Sequence, residues 1–170
     1  GVERRPGDPD SVMPVVLSRV DDRLIHGQVV IGWGRPLAAT RIVLVDDEVA
    51  ANEWEQDLYR MAVPEGIEVL FFRVADAIGH LAEWHADPHR TMLLTGALPP
   101  MAALQAADPA AVGHVNLGGI HHRPGRTERL PYVYLSPDEY LLVRDMASRG
   151  ADVTAQDVPS AAPVGVGGLA

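Results

Sequence analysis

Short apolar runs alternate with longer stretches of helical spacing along most of this 170-residue chain. The runs at Pro14–Val20, Arg41–Asp46, Ile67–Arg73, Thr91–Thr95, His114–Leu117, Tyr132–Leu135 and Asp152–Gln156 predict strands. Most are continuous rather than alternating in polarity, as in strands of a parallel sheet covered on both faces. Between them the pattern predicts helices over Gln28–Ala38, Val49–Ala62, Ala75–Trp84, Pro100–Ala106 and Pro137–Arg149. The last has the clearest start: Ser136 as N-cap, Pro137 at the first helical position and Glu139 completing a capping box. Such alternation implies right-handed crossovers and an α/β fold: an open, doubly wound, mostly parallel sheet flanked by helices on both faces.

The ends of the chain break the pattern. Residues 1–12 are polar, rich in Pro and Gly and aperiodic, and are expected to be a flexible leader or linker outside the fold. The domain is expected to span 13–159. Residues 160–170 are small and Gly-rich, which predicts a mobile tail. The length suits one domain with a substantial core.

Charge narrows the function classes. The net charge of -9 argues against broad attraction to nucleic acid or an anionic membrane. With no cysteine, thiolate metal sites, disulfides and cysteine nucleophiles are excluded. No stretch is long and apolar enough to predict a membrane span, and no signal-peptide pattern opens the sequence, so a cytoplasmic location is expected.

The densest chemistry lies in Arg19-Val20-Asp21-Asp22-Arg23-Leu24-Ile25-His26-Gly27-Gln28-Val29. This segment places His26 in the loop leaving the first strand's carboxyl end, where open α/β sheets bind ligands. Histidine titrates near neutrality, so one ring nitrogen is available as a nucleophile or acid–base group. Asp21 or Asp22 is expected to hold the other nitrogen's proton, and Arg19 or Arg23 to balance charge on a transferred group. The next helix would direct its N-terminal dipole at His26, although that term supplies only roughly 0.3–2 kcal/mol. The carboxyl-end rule gathers further candidates for the cleft lining: Asp46, Arg73, Thr95 with Gly96, Asn116, and Gly118 with Gly119. Arg123, Arg126 and Arg129 would form a basic rim. Spacing alone favours a solvated surface loop over a site for any such histidine.

Other signals favour plain readings. His85 and His89 share a helical spacing that Pro88 interrupts, and His121 and His122 are adjacent, so no metal site is expected. Neither a dinucleotide fingerprint nor a P-loop is present. Trp33, Trp54 and Trp84 fall on predicted helices, where packing is the expected role. Asp46-Asp47-Glu48 reads as an acidic helix start stabilised by the dipole in preference to a catalytic carboxylate pair.

The Arg19–Val29 segment, with Trp33 after it, closely resembles the active-site segment of IIB components of the bacterial sugar phosphotransferase system, in the mannose/fructose/sorbose family. The resemblance extends through Arg41–Ala50, Val115-Asn116-Leu117-Gly118-Gly119 and Tyr134–Val158, covering about residues 14–159 in matching order. It implies that His26 accepts a phosphoryl group from a IIA domain and passes it to a sugar during uptake through membrane IIC/IID components. Arg19, Asp21, Asp22, Arg23, Gly27 and Gln28 would form the phosphate loop. No cofactor, metal or nucleic acid is implied. A homo-oligomer is compatible, as is attachment to the inner membrane face through partners. Arg73, where the family often has a small hydroxyl residue near the phosphate, and His121-His122-Arg123 depart from the pattern. They keep open a member diverted from transport, acting as a binding module for a phosphorylated ligand or as a small-metabolite enzyme with His26 as acid or base.

Overall fold

Seven strands form one sheet in the order β3-β2-β4-β1-β5-β8-β9. They are β1 (Val15–Val20), β2 (Arg41–Val45), β3 (Glu68–Phe72), β4 (Thr91–Thr95), β5 (His114–Leu117), β8 (Asp152–Ala155) and β9 (Val164–Gly165). Every pairing is parallel except that of β9 with β8. This computed structural model describes residues 15–170, so the expected leader and Pro14 lie outside it.

Apolar side chains on both faces of the strands explain the layers. Within β2, Val43 and Val45 enter one core while Ile42 and Leu44 enter the other, and all four are fully buried. The first core is covered by α3 (Val74–Ile78), α4 (Leu81–Ala86), α5 (Leu98–Ala107) and α6 (Pro137–Ser148). The second is covered by the segment after His26 and by α1 (Asp47–Ala50), with α2 (Glu53–Met61) contributing Tyr59. The doubly wound architecture is thus as expected. Ser136 accepts from Glu139 N–H and the Glu139 side chain accepts from Ser136 N–H, forming the expected capping box of α6.

Several local expectations are corrected. The helix expected over Gln28–Ala38 is a six-residue π-helical segment, Gln28–Trp33, followed by turns. Gly32, Gly34 and Pro36 weaken an α-helix there, and the Gly34 N–H bonds the Val29 carbonyl five residues back. A Cβ at Gly34 would fall 2.2 Å from the Val30 oxygen, so the coil requires glycine.

The helix expected over Val49–Ala62 divides because Asn52 N-caps a second helix, and the one over Ala75–Trp84 divides at Gly79. The Tyr132–Leu135 run does not join the main sheet. As β7 (Val133–Leu135) it pairs antiparallel with β6 (Thr127–Leu130), because a turn of two residues, Pro131-Tyr132, makes that strand the nearest partner. The expected mobile tail is packed: β9 covers the β8 edge, Arg129 donates to the Leu169 carbonyl at 3.0 Å, and Leu169 is fully buried. Burial of that one leucine outweighs what Gly-rich composition suggests. Trp33 and Trp84 are core residues, whereas Trp54 is 72% exposed.

Candidate functional site

β1 lies between β4 and β5; the connection from β1 runs to β2 on one side and that from β5 to β8 on the other, making the carboxyl ends of β1 and β5 a switch-point crevice. Arg19, one residue before the strand ends, is paired in register with Leu94 and Asn116. Its guanidinium lies buried beneath the loop. It donates to Asn116 Oδ1, to the Gln156 carbonyl at 2.9 Å, to the Asp157 carbonyl at 3.1 Å and to Asp21 Oδ2 at 3.2 Å. The Trp33 ring packs over it with its centroid 4.7 Å from Cζ, a cation–π contact. Gly118 provides the space: a Cβ there would stand 2.3 Å from Arg19 Nη2.

Asp21 is 0% exposed and links two arginines. Arg23 grips it with Nε to Oδ1 at 3.0 Å and Nη2 to Oδ2 at 2.9 Å, and the Arg23 backbone N–H adds a bond of 3.1 Å. Burial pushes the Asp21 carboxyl upward, but the Arg23 hydrogen bonds and the Arg19 charge outweigh it and hold the group below its ordinary value. Two guanidiniums therefore share one ionised carboxylate. Arg23 Nη1 also donates to Gln28 Oε1 at 2.7 Å, tying the cationic pair to the segment after His26.

The loop between these residues is bent tightly. Leu24 has φ +59°, a left-handed conformation costing roughly 1–2 kcal/mol for a non-glycine residue. Its side chain lies over Gly96, where a Cβ would be 2.7 Å from Leu24 Cδ2. Ile25 is buried in the core below, so His26 is raised at the turn.

His26 is partly buried, and Gln28 N–H donates to its Nδ1 at 3.2 Å. Nδ1 therefore carries a lone pair, and the proton of the neutral ring is on Nε2. Nε2 is buried and has no hydrogen-bond partner among the described residues. Burial first, then the Arg23 charge, lowers the His26 pKa below its ordinary 6.5, with Asp21 opposing. The ring is therefore mainly neutral at pH 7, with a lone pair on Nδ1 and with Arg23 and Arg19 acting on it against Asp21.

The site differs from expectation at several points. Neither Asp21 nor Asp22 hydrogen-bonds His26: Asp21 is occupied by the arginines, and Asp22 accepts from the His121 N–H at 2.8 Å and pairs with His121 Nδ1 at 2.7 Å. The backbone of Gln28 fixes the tautomer instead. With only a six-residue π-helical segment after the loop, the expected α-helical dipole is reduced to local N–H groups.

Arg73 does not line this crevice. It follows β3, the far edge strand, three strands from β1, and is exposed while bonding Asp76 at 3.1 Å. Asp46 serves the plainer role, capping α1 by accepting from Glu48 and Val49 N–H. Arg126 is held bidentately by Glu139 at 2.8 Å and Arg129 stacks over Tyr140, so the expected basic rim is largely committed elsewhere.

Thr95, Gly96, Gly118 and Gly119 do adjoin the loop: the Thr95 carbonyl accepts from Asp21 N–H at 2.9 Å and the Gly119 carbonyl from Asp22 N–H at 2.8 Å. Gly27 is exposed, with nothing within 4 Å of a Cβ placed there. Gln156, Asp157 and the Asp22–His121 pair were not anticipated at the site. Their long sequence separation from the loop gave no local signal.

Comparison with known proteins identifies the family. The sequence profile of the PTS system sorbose subfamily IIB component matches residues 15–169. The N-acetylgalactosamine-specific phosphotransferase enzyme IIB component 1 of Escherichia coli K12 is 30% identical over 146 residues, covering 85% of this chain and 91% of the relative. The mannose-specific EIIAB component of the same strain is 29% identical over 154 residues, which are 91% of this chain but 47% of that protein. Among solved structures, the IIB domain of the sorbose permease from Klebsiella pneumoniae superposes with a TM-score of 0.81 at 26% identity, covering 89% of this chain and 92% of that one. With its fold and nearly its whole described length matched, the chain belongs to the sorbose subfamily of phosphotransferase-system IIB components, the enzymes that take a phosphoryl group from IIA and deliver it to a sugar in uptake.

Proposed function

We propose that His26 carries the phosphoryl group, bonded through Nδ1. The observation that carries this reading is the neutral ring with an Nδ1 lone pair beside two arginines sharing one carboxylate. Nδ1 attacks the phosphorus of a phosphorylated IIA domain in line with the leaving nitrogen. The new P–N bond forms as the old one breaks, and the phosphoryl group brings about two negative charges at neutral pH into the vicinity of Arg23 and Arg19. Gln28 N–H, already aimed at Nδ1, is in reach of a phosphoryl oxygen there. In the second step a sugar hydroxyl attacks phosphorus, the P–Nδ1 bond breaks, and the hydroxyl proton leaves to a base or water.

Sugar binding in uptake falls to the membrane IIC/IID components. The chain works with these from the cytoplasmic side. Among the described residues no helix is long and apolar enough to cross a membrane.

The test is intact-mass analysis of wild type and His26→Ala after incubation with phosphoenolpyruvate, the general phosphotransferase proteins and candidate IIA domains. Wild type should gain one acid-labile phosphoryl group and the variant none. Equal labelling of a folded His26→Ala protein overturns the assignment.

A further inference from the structure

The turn that raises His26 is held from a second place in the fold. Asp22 Oδ2 accepts the His121 N–H at 2.8 Å, its Oδ1 pairs with His121 Nδ1 at 2.7 Å, and its own N–H donates to the Gly119 carbonyl at 2.8 Å. An ionised carboxylate only accepts, so the proton of this bond sits on Nδ1. The contacts form a two-way clasp between the loop after β1 and the loop after β5. With His121 61% and Asp22 20% exposed, the pair adds little to global stability.

His121 is nevertheless the fixed half of the clasp. Ile120 before it is buried and bridged to β7: its N–H donates to the Tyr132 carbonyl at 2.9 Å, and its carbonyl accepts from Tyr134 N–H at 2.8 Å. The His121 carbonyl accepts from Arg126 Nη1 at 2.8 Å, and Arg126 is gripped by Glu139 of the α6 capping box. His122 after it packs edge-on against Tyr134, with ring centroids 5.7 Å apart. The other half is the strained one. Leu24, two residues after Asp22, stands at φ +59°, a conformation that persists only where its surroundings over-determine it. The His121 ring also adjoins the arginine cluster: the Cβ that Gly119 lacks would lie 3.2 Å from His121 Cε1, 3.3 Å from Arg23 Nε and 3.0 Å from Asp21 Oδ1.

We propose that His121 is a positioning residue for phosphoryl transfer: through Asp22 it holds the strained Asp21–His26 turn, and with it the His26 imidazole, in the reacting orientation. An exposed pair of small worth to the fold as a whole thereby matters to the one turn that must stay bent. The proposal rests on His26 as the phosphoryl carrier. The order of the turn can be read without any transfer, so the two readings fail separately.

Two readouts test it. The Asp22 and Leu24 N–H groups bond the Gly119 and Asp21 carbonyls, and their hydrogen exchange should quicken at least about tenfold in His121→Ala while the melting temperature stays within a degree or so of wild type. Label uptake from a phosphorylated IIA domain should fall at least about tenfold in kcat, with KM within about twofold. His121→Asn, whose amide N–H can stand where Nδ1–H does, should restore both. Asp22→Ala should be at least as slow as His121→Ala, and Asp22→Ala/His121→Ala no slower than Asp22→Ala, because His121 acts only through Asp22. Unchanged exchange in His121→Ala overturns the proposal whether or not His26 is labelled. So does unchanged uptake at His26, a rise in KM alone, which marks direct contact with IIA, a further tenfold loss in the double variant, or failure of His121→Asn to restore the rate. Label on a residue other than His26 in the wild type, with exchange still quickened in His121→Ala, refutes the carrier reading and not the clasp.

Discussion

Two largely buried arginines sit at opposite ends of the sheet in opposite charge environments. At the amino end, Arg41 lies between two carboxylates, Glu68 at 2.9 Å and Asp87 at 3.0 Å. At the carboxyl end, Arg19 and Arg23 share the single buried carboxylate of Asp21. Burial lowers the pKa of Arg41, but the Glu68 and Asp87 bonds outweigh it and leave the net shift upward; for Arg19 burial wins and the net shift is downward. The first cluster compensates its charge at a partly exposed edge, which is enough to pin β2 and β3. At the second, Asp157 lies farther off, 4.0 Å from Arg23, and the charges acting on the neutral His26 ring are Arg23 and Arg19 against Asp21 alone, an arrangement suited to an incoming phosphoryl group.

The largest expected effect comes from breaking the shared carboxylate. Asp21→Asn leaves two buried or half-buried guanidiniums without their anion and should cost about 3–5 kcal/mol in chemical denaturation. Its linkage to pH has a definite sign. The folded pKa of Asp21 lies below the ordinary 3.8, so its stabilisation is complete above that value and is lost as pH falls through the lower folded pKa. The variant should lose that acid-side slope.

Next in size is Gly118→Ala, whose Cβ collides with the Arg19 guanidinium. It should cost about 1–3 kcal/mol and slow phosphorylation of His26, measured by melting and by initial rate of label uptake. Glu68→Gln at the other end should cost at most about 1 kcal/mol, since Glu68 is half exposed, and leave label uptake unchanged. The smallest effect is a shift in the pH profile. Because the His26 pKa is lowered, uptake at saturating donor should fall only below pH 6.5, and Arg23→Gln should move that limb upward by removing a positive charge that disfavours the protonated ring.

The sheet was legible because its strands are short apolar runs buried on both faces, and Thr91–Thr95 and His114–Leu117 were delimited as observed. The candidate loop around His26 was legible as a motif whose resemblance is local. Less legible was everything decided by tertiary contact. Asp22 is drawn to His121 across 99 residues of sequence, and Arg19 to the Gln156 carbonyl across 137, pairings that exist only because β5 and β8 lie on that side of β1. Arg73 was misplaced because the carboxyl-end rule names an edge of the sheet but not the strand order along it. The Gly-rich C-terminus was misread because composition gives chain flexibility without showing that Leu169 has a core to enter.

The central claim, a neutral His26 reacting through Nδ1, is tested most directly by nitrogen NMR of the chain with its seven histidines isotopically labelled, before and after phosphorylation by IIA. The account predicts that His26 alone changes, that its free ring has the proton on Nε2 at pH 7, and that phosphorus couples to Nδ1. A phosphoryl group on Nε2, or on any of the other six histidines, would contradict it.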